Sequence, residues 1–187
     1  YRVVGNDDDA VTWPNARTGA KSDAQKFNGL TGYLVTITSA QENTWVKEKI
    51  SANAWTGGSD SETEKTWKWM DGPEAGQTYT CQVATVETTG GTGATISGCS
   101  EQSYLNWRVT INGNLEPNDH NRQNEDYMHI YATSDANKIG KWNDYEIDND
   151  DVDAYIIEYG GMGGADQYGS GGGMGGQNGY APQPQYY

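Results

Sequence analysis

The sequence predicts an α+β domain followed by a low-complexity tail, on the evidence of three features. Two segments, residues 16–28 and 40–50, are predicted to form short helices. Five others have the β-branched and aromatic content of strands, namely 33–38, 66–70, 127–132, 138–142 and 154–159. From Gly160 onward the composition changes abruptly to glycine, tyrosine, glutamine and methionine. We therefore expect one folded unit over residues 1–161 and a tail over residues 162–187.

The second helix has the clearest signals. Ser39 is suited to cap its N-terminus, and Glu42 follows three residues later, as in a capping box. Its apolar side chains, Trp45, Val46 and Ile50, are spaced to lie on one face. This pattern predicts a helix that starts after Ser39 and packs on the core through that face.

The stretch from Thr78 to Gly98 predicts a β-hairpin. Threonine and valine alternate along it, and the glycines that follow supply a turn with positive φ angles. Cys81 and Cys99 flank the hairpin without a nearby histidine or third cysteine, so a disulfide is favoured over a zinc site. Such a bond would contribute about 3 kcal/mol and indicates an oxidising compartment. Two free buried thiols remain the alternative.

The tail over residues 162–187 is too poor in apolar residues to offset its chain entropy, so disorder is expected there. Its tyrosines, among them Tyr168, Tyr180, Tyr186 and Tyr187, offer contacts for self-association. The tail therefore suggests a possible assembly role.

Charge and composition exclude several classes of protein. The chain has 26 acidic and 12 basic residues, a formal net charge of −14, which argues against nucleic-acid binding and favours a divalent cation. No stretch approaches the roughly 20 apolar residues of a membrane span. The chain starts at Tyr1 with neither a methionine nor a leader. We expect a secreted protein whose signal peptide is absent.

Two triplets supply ligands for a hard cation. They are Glu116-Pro117-Asn118 and Trp142-Asn143-Asp144, with Glu125 between them. Their oxygen atoms come from carboxylates and side-chain amides, which are donors that calcium prefers. The sequence therefore predicts a calcium site.

The order of these triplets resembles the sugar-binding segment of the C-type lectin-like domain family. The resemblance covers most of Trp13 to Gly161 and includes five further segments: 22–28, 32–43, 54–60, 67–72 and 155–159. It implies a C-type lectin-like fold with two short helices, small antiparallel sheets and long calcium-ordered loops. Residues 78–100 are an insertion relative to the compact family pattern.

The chain also departs from the animal members of this family. It lacks their conserved pair of disulfides, and Phe27, Tyr127 and Ile157 stand where we align those cysteines. Packing of Phe27 against Ile157 is one expected substitute. In this respect the chain resembles bacterial members of the superfamily.

The resemblance implies two calcium sites and a ligand. The principal calcium and the sugar would be held by Glu116, Asn118, Glu125, Asn143 and Asp144. An auxiliary calcium would be held by Asp60, Glu64, Asp119, Glu125 and Asp126. Pro117 would follow a cis peptide bond. The Glu-Pro-Asn order implies vicinal diols of the mannose, glucose or fucose type.

Sequence analysis thus favours an extracellular, calcium-dependent carbohydrate-binding domain with a glycan as its partner. The alternative is a filament or matrix subunit in which calcium is structural and the tail docks on a neighbouring copy.

An enzyme is not expected, because the two histidines, His120 and His129, accompany no plausible nucleophile. We place His120 on a loop surface and His129 in a solvent-side or packed position. Trp55, Trp67, Trp69, Trp107 and Trp142 are expected in the core.

Overall fold

The computed structural model describes residues 1–5, 10–80, 82–88, 91–97, 104–109, 116–120 and 124–160. For residues 80, 82–88 and 91–97 only the backbone is considered. Both cysteines, and with them the predicted disulfide, lie outside the described residues, as does the predicted tail over 162–187. None of the helices in the described ranges has the length and apolar character needed to cross a membrane.

The described residues form two α-helices, α1 (Trp13–Ala20) and α2 (Ala40–Lys49), with a 3₁₀ turn at Asp23–Gln25. The strands within the same residues are β1 (Arg2–Gly5), β2 (Tyr33–Leu34), β3 (Ala54–Ser59), β4 (Trp67–Trp69), β5 (Thr78–Thr80), β6 (Gln82–Thr88), β7 (Gly91–Ser97), β8 (Tyr127–Ile130), β9 (Trp142–Tyr145) and β10 (Ala154–Glu158). The α+β prediction is confirmed.

The main sheet brings the two ends of the domain together. Its order is β1-β10-β3-β4-β5, with β2 also paired to β10, and β8 paired to both β3 and β9. The pairing of β10 with β3 is parallel, whereas β8 and β9 form an antiparallel pair. Because β8 lies beside β3, the segment before β8 meets the loop that follows β3, where the Asp60 N–H donates to the Asp126 carbonyl oxygen.

Helix α2 starts where the sequence predicts. The Ser39 hydroxyl accepts a hydrogen bond from the Glu42 N–H at 3.2 Å. The Glu42 carboxylate accepts from the N–H of Thr38, one residue before the cap, at 2.7 Å. Helix α1 begins earlier than predicted, because Thr12 caps it and a proline stands in its first turn, and it ends at Ala20 instead of continuing to residue 28.

The predicted strand over residues 138–142 is wrong. Residues 136–140 form a turn, in which Gly140 has a φ of 73°, and the strand occupies Trp142–Tyr145 instead. Strands β1 and β3 were not predicted from the sequence. The antiparallel pairing of β6 with β7 confirms the predicted hairpin.

The tryptophan prediction is confirmed. Trp142 has no exposed surface, and its indole N–H donates to the Asn43 side chain on α2 at 2.8 Å. Its ring centroid lies 5.6–6.3 Å from those of four other aromatic rings, Trp69, Tyr79, Tyr104 and Trp107. Strand β9 is thereby fixed to the centre of the core.

The expected packing of Phe27 is wrong, whereas His129 takes one of the two positions expected for it. Phe27 does not fill the core beside Ile157, because it is 58% exposed and its ring lies against Tyr159 at 5.6 Å. His129 is packed and fully buried, with its ring stacked on Tyr145 at 4.2 Å. Burial lowers the pKa of His129 to about 3, so the imidazole is neutral at physiological pH.

Replacing Gly57 by alanine is expected to destabilise the fold. A Cβ at this position would lie 2.8 Å from the carbonyl oxygen of Leu34 and 3.1 Å from that of Val35. These are backbone atoms, so the chain at Leu34 must move away from β3. Overpacking of this kind costs about 1–3 kcal/mol. Chemical denaturation measures the loss in the free energy of unfolding.

The control is Gly5→Ala on β1, where an added Cβ meets nothing within 4 Å. Its effect is expected to stay within about 0.5 kcal/mol. Equal losses in the two variants would contradict the close approach of β2 to β3.

Candidate functional site

Asp144 on β9 holds the loop that contains the Glu116 triplet. Its Oδ2 atom accepts hydrogen bonds from the backbone N–H groups of Asn118 and Asp119, both at 2.8 Å. Only 1% of Asp144 is exposed, and its Oδ1 atom is buried with no hydrogen-bond partner among the described residues. Burial raises the pKa of this carboxyl, and the charges of Glu116 and Glu125 add to the effect. Its unpaired oxygen is therefore available to a cation.

Glu116 lies beside Asp144 and is 3% exposed. The Glu116–Pro117 peptide bond is cis, as the resemblance implied. One carboxylate oxygen of Glu116 accepts a hydrogen bond from the Asn118 side-chain amide, and the other lies 3.8 Å from Nη1 of Arg108. Burial raises the pKa of Glu116 to about 7, although Arg108 acts in the opposite direction.

Glu125 approaches from the segment that leads into β8. Its Oε2 atom accepts a hydrogen bond from the backbone N–H of His120 at 2.6 Å, and its own N–H donates to Asp119 at 3.4 Å. Burial raises the pKa of Glu125, and the negative charges of Glu146 and Asp119 add to the effect. His120 is exposed, as predicted.

Two side-chain amides complete the principal set. Asn143 is 5% exposed, and its Nδ2 donates to the carbonyl oxygen of Asp144 at 2.7 Å. Asn118 is exposed. Glu116, Asn118 and Asp144 are joined by hydrogen bonds, Asn143 is adjacent to Asp144, and Glu125 is coupled to Glu116 and Asp144 by charge.

A second acidic group lies next to the first. The backbone N–H of Asp60 donates to the carbonyl oxygen of Asp126 at 3.2 Å, which joins the two loops. One carboxylate oxygen of Asp60 accepts from the Lys65 N–H at 2.8 Å, and the other, Oδ1, is buried without a hydrogen-bond partner in the described part of the chain. Burial raises the pKa of Asp60 to about 7, and the charges of Glu64 and Asp126 contribute.

The carboxylates of the second group repel one another. Burial raises the pKa values of Glu64 and Asp126, and for both residues the charge of Asp119 adds to the effect. Among the described residues, no three His, Cys, Asp or Glu side chains converge closely enough to hold a metal ion. The donor chemistry and the excess negative charge suit calcium, but the carboxylates are hydrogen-bonded to loop backbone instead of converging on one point.

Sequence analysis did not identify two residues that act on the site. Arg108 contacts Glu116 from the segment before it, and Glu146 contributes to the raised pKa of Glu125. The position of Arg108 directly after the core residue Trp107 does not by itself indicate that it approaches Glu116. Glu146 follows β9 without any pattern that marks it.

Comparison with known proteins gives one sequence relative. No protein-family model matches the chain. Halomucin of Haloquadratum walsbyi (strain DSM 16790 / HBSQ001) is 33% identical over 154 residues, which is 82% of this chain. The chain spans only 1% of the length of halomucin, so the similarity concerns a small part of that protein.

Solved structures resemble the domain more completely. The C-type lectin CEL-I from Cucumaria echinata aligns with a TM-score of 0.53 at 19% identity, over 84% of this chain and 89% of CEL-I. The C-type carbohydrate-recognition domain of cow CD23, solved in the presence of a GlcNAc2Man3 oligosaccharide, aligns with a TM-score of 0.51 at 20% identity, over 83% of this chain and 82% of that domain. At these identities the similarity concerns the fold. The chain has the C-type lectin-like fold that its sequence predicted.

Proposed function

We propose that this chain is a calcium-dependent carbohydrate-binding domain. The main support is the buried Asp144 carboxylate, which holds the Glu116 loop and leaves Oδ1 without a partner among the described residues. Glu116 and Glu125 add further negative charge beside it. A bound calcium ion would neutralise this charge and coordinate two adjacent sugar hydroxyls. Its principal ligands would be Glu116, Asn118, Glu125, Asn143 and Asp144.

The same side chains have the hydrogen-bonding groups that a sugar needs. Glu116 and Glu125 can accept protons from hydroxyls, while the side-chain amides of Asn118 and Asn143 can donate to hydroxyl oxygens. Both amides now donate to nearby oxygens of the loop itself, Asn118 to Glu116 and Asn143 to Asp144. Sugar binding would exchange these local bonds for bonds to the ligand.

An auxiliary calcium would bind the second acidic group, Asp60, Glu64, Asp119, Glu125 and Asp126. The buried Oδ1 of Asp60 has no hydrogen-bond partner among the described residues, and mutual repulsion contributes to the raised pKa values of this group. These carboxylates belong to loops that the Asp60–Asp126 backbone hydrogen bond already joins. A cation there would hold the loops in the shape that the principal site requires.

The proposed ligand is a sugar with equatorial vicinal hydroxyls, of the mannose, glucose or fucose type. The support is the Glu-Pro-Asn order at residues 116–118 and the resemblance described above. Because the proposed ligands are polar and offer a sugar little apolar surface, each monosaccharide is expected to bind weakly, and several copies would supply avidity. The likeness to halomucin supports a role outside the cell. The assembly role of the tail stays a prediction.

Calorimetric titration of mannose into the calcium-loaded full chain is expected to give heat that disappears when a chelator removes the metal. Galactose is expected to give less binding heat than mannose.

Asp144→Asn removes the central charge and is expected to weaken calcium binding by at least about tenfold. The matched control is Asp148→Asn, an exposed residue in the turn after β9, which is expected to bind calcium as the native chain does.

Two outcomes would contradict the proposal in different ways. If mannose still gives binding heat after a chelator has removed the metal, sugar binding does not depend on calcium. If the protein binds calcium but gives no binding heat with any sugar, it is not a carbohydrate-binding domain, and the metal has a structural role.

The metal-free protein is expected to become more stable as the pH falls from about 8 to about 5. Burial holds the pKa of Asp60, Glu116 and Glu158 at about 7 in the folded state, against about 4 when unfolded. The folded state therefore binds the extra protons in this window. His129, with a folded pKa of about 3, opposes the trend by a single proton. Melting temperatures of metal-stripped protein across this range provide the measurement.

Calcium is expected to flatten this pH dependence, because the site carboxylates stay ionised when the ion is bound. The control is Glu158→Gln, outside the site, whose carboxylate accepts from the Thr36 N–H at 3.1 Å. This variant should reduce the slope with and without calcium. A metal-free protein that loses stability steadily from pH 8 to pH 5 would show that these carboxylates are not held protonated by the fold.

A further inference from the structure

A group of cations lies beside the candidate site in a chain that is otherwise strongly acidic. It consists of Arg108 and Lys138, which lie over the ring of Tyr131, and of Lys141, whose backbone pairs with that of Tyr131. We call these four residues the Tyr131 patch. The Arg108 guanidinium lies 5.7 Å from the Tyr131 ring centroid, and the Lys138 ammonium lies 5.5 Å from it. Two positive charges thus share one aromatic ring.

The backbone holds these residues together. The N–H of Tyr131 donates to the Lys141 carbonyl at 3.0 Å, which continues the β8–β9 pairing beyond both strands. The N–H of Arg108 donates to the Trp142 carbonyl at 2.9 Å, so the Arg108 segment lies alongside β9. The Lys141 ammonium donates to the Asn106 side chain at 2.7 Å, a neutral partner. The patch therefore belongs to a hydrogen-bonded framework and not to one freely moving loop.

The two lysines of the patch have no acidic partner among the described residues, whereas Arg108 is paired with Glu116. Within the described residues, neither Lys138 nor Lys141 lies within 4.0 Å of a carboxylate, and Arg108 approaches Glu116 only at 3.8 Å. Asp135 precedes Lys138 in the same turn, but its carboxylate accepts from the Asn137 N–H at 2.9 Å. Some cations elsewhere are paired, such as Arg17 with Asp71 at 2.7 Å and Lys68 with Glu62 at 2.9 Å, and others are not. The patch differs from both kinds because two of its cations share one aromatic ring beside the candidate site, and this concentration of positive charge in an acidic protein points to an anionic ligand.

The patch is continuous with the proposed sugar site. Glu116 donates its backbone N–H to the Arg108 carbonyl at 2.9 Å, and their side chains also approach each other. A sugar held at Glu116 would therefore place its substituents near the Arg108 guanidinium. Resting on the proposed function, we infer that the Tyr131 patch is a subsite for an anionic group, a carboxylate or a sulfate ester, on the bound saccharide.

The chemistry of the patch suits such a group. An arginine guanidinium presents a planar fork to carboxylate or sulfate oxygens, and lysine adds a mobile point charge. The net charge of −14 repels polyanions at long range. A sugar anchored at the adjacent site overcomes this repulsion, because its anionic group is then already placed at the patch. The subsite thus selects acidic over neutral sugars instead of capturing anions by itself at high affinity.

The test compares methyl mannoside with its 6-sulfate and with methyl mannuronoside, titrated into the calcium-loaded full chain at low ionic strength. One charge-assisted contact predicts that the charged sugars bind about tenfold more tightly than the neutral one. The preference should shrink as salt is added. The sulfate and the uronate arms report which anionic group the patch prefers. Equal or weaker binding of both charged sugars would overturn the inference.

The variant is the double substitution Lys138→Gln with Lys141→Gln, and the control is Lys49→Gln. Lys49 lies over the ring of Trp45 at 5.6 Å, so it reproduces a lysine–aromatic contact outside the patch. For each protein, the measured quantity is the affinity for the charged sugar divided by the affinity for the neutral sugar. This ratio should fall toward one in the double variant and persist in the control. A ratio that is unchanged in the double variant would overturn the inference.

A separate experiment, which does not need the calcium site, distinguishes failure of this inference from failure of the proposed function. Methyl mannoside 6-sulfate at high concentration is added to metal-stripped protein, and amide chemical shifts are followed by NMR. Shifts at residues 108, 131 and 138 that are lost in the double variant would support the patch even if neutral mannose never binds. Absence of such shifts would overturn it. A change in sedimentation between native protein and the double variant would instead identify the patch as a contact between copies and overturn the saccharide assignment.

Discussion

Strand β9 is the constraint on which both the core and the candidate site depend. Trp142, its first residue, is fully buried among aromatic rings and is tied to α2 through Asn43. Two residues later, Asp144 fixes the Glu116 loop through two backbone N–H groups. Alternation along a strand sends both side chains to the same face. The position of the acidic loop is therefore set by a strand that cannot shift without unpacking the aromatic core.

The acidic loops place several carboxylates close together in a buried position, and this charge is what the proposed calcium ion would neutralise. Burying Glu116 and Asp144 costs solvation energy, and each additional carboxylate nearby increases that cost. Backbone N–H groups and Arg108 offset part of it, yet buried oxygens on Asp60 and Asp144 find no partner among the described residues. Native proteins satisfy most buried polar groups, so each exception needs an explanation. The proposed calcium ion would satisfy these two oxygens.

Fold and function rest on different observations. The likeness to solved lectin domains concerns the arrangement of helices and strands, and a fold of this kind can host many activities. The carbohydrate proposal depends instead on particular groups around Asp144 and on the amides beside them. The Tyr131 patch adds a feature that belongs to this chain, since its cations come from a turn and a segment outside both triplets. The candidate site therefore has an acidic part around Asp144 and a basic border at the Tyr131 patch.

The sequence by itself determined the α+β class, helix α2 with its Ser39 cap, the buried tryptophans and the identity of the acidic triplets, because these depend on local pattern and residue chemistry. Tertiary structure alone decided strand β3, whose Ala-Trp-Thr-Gly-Gly-Ser sequence has weak strand propensity and is ordered by complete burial. It also moved the predicted strand at 138–142 to Trp142–Tyr145, where Asn143 and Asp144 are buried through contacts distant in sequence. The approach of Arg108 to Glu116 and of Lys138 to Tyr131 was equally invisible, because long-range pairing leaves no periodic signal in the chain.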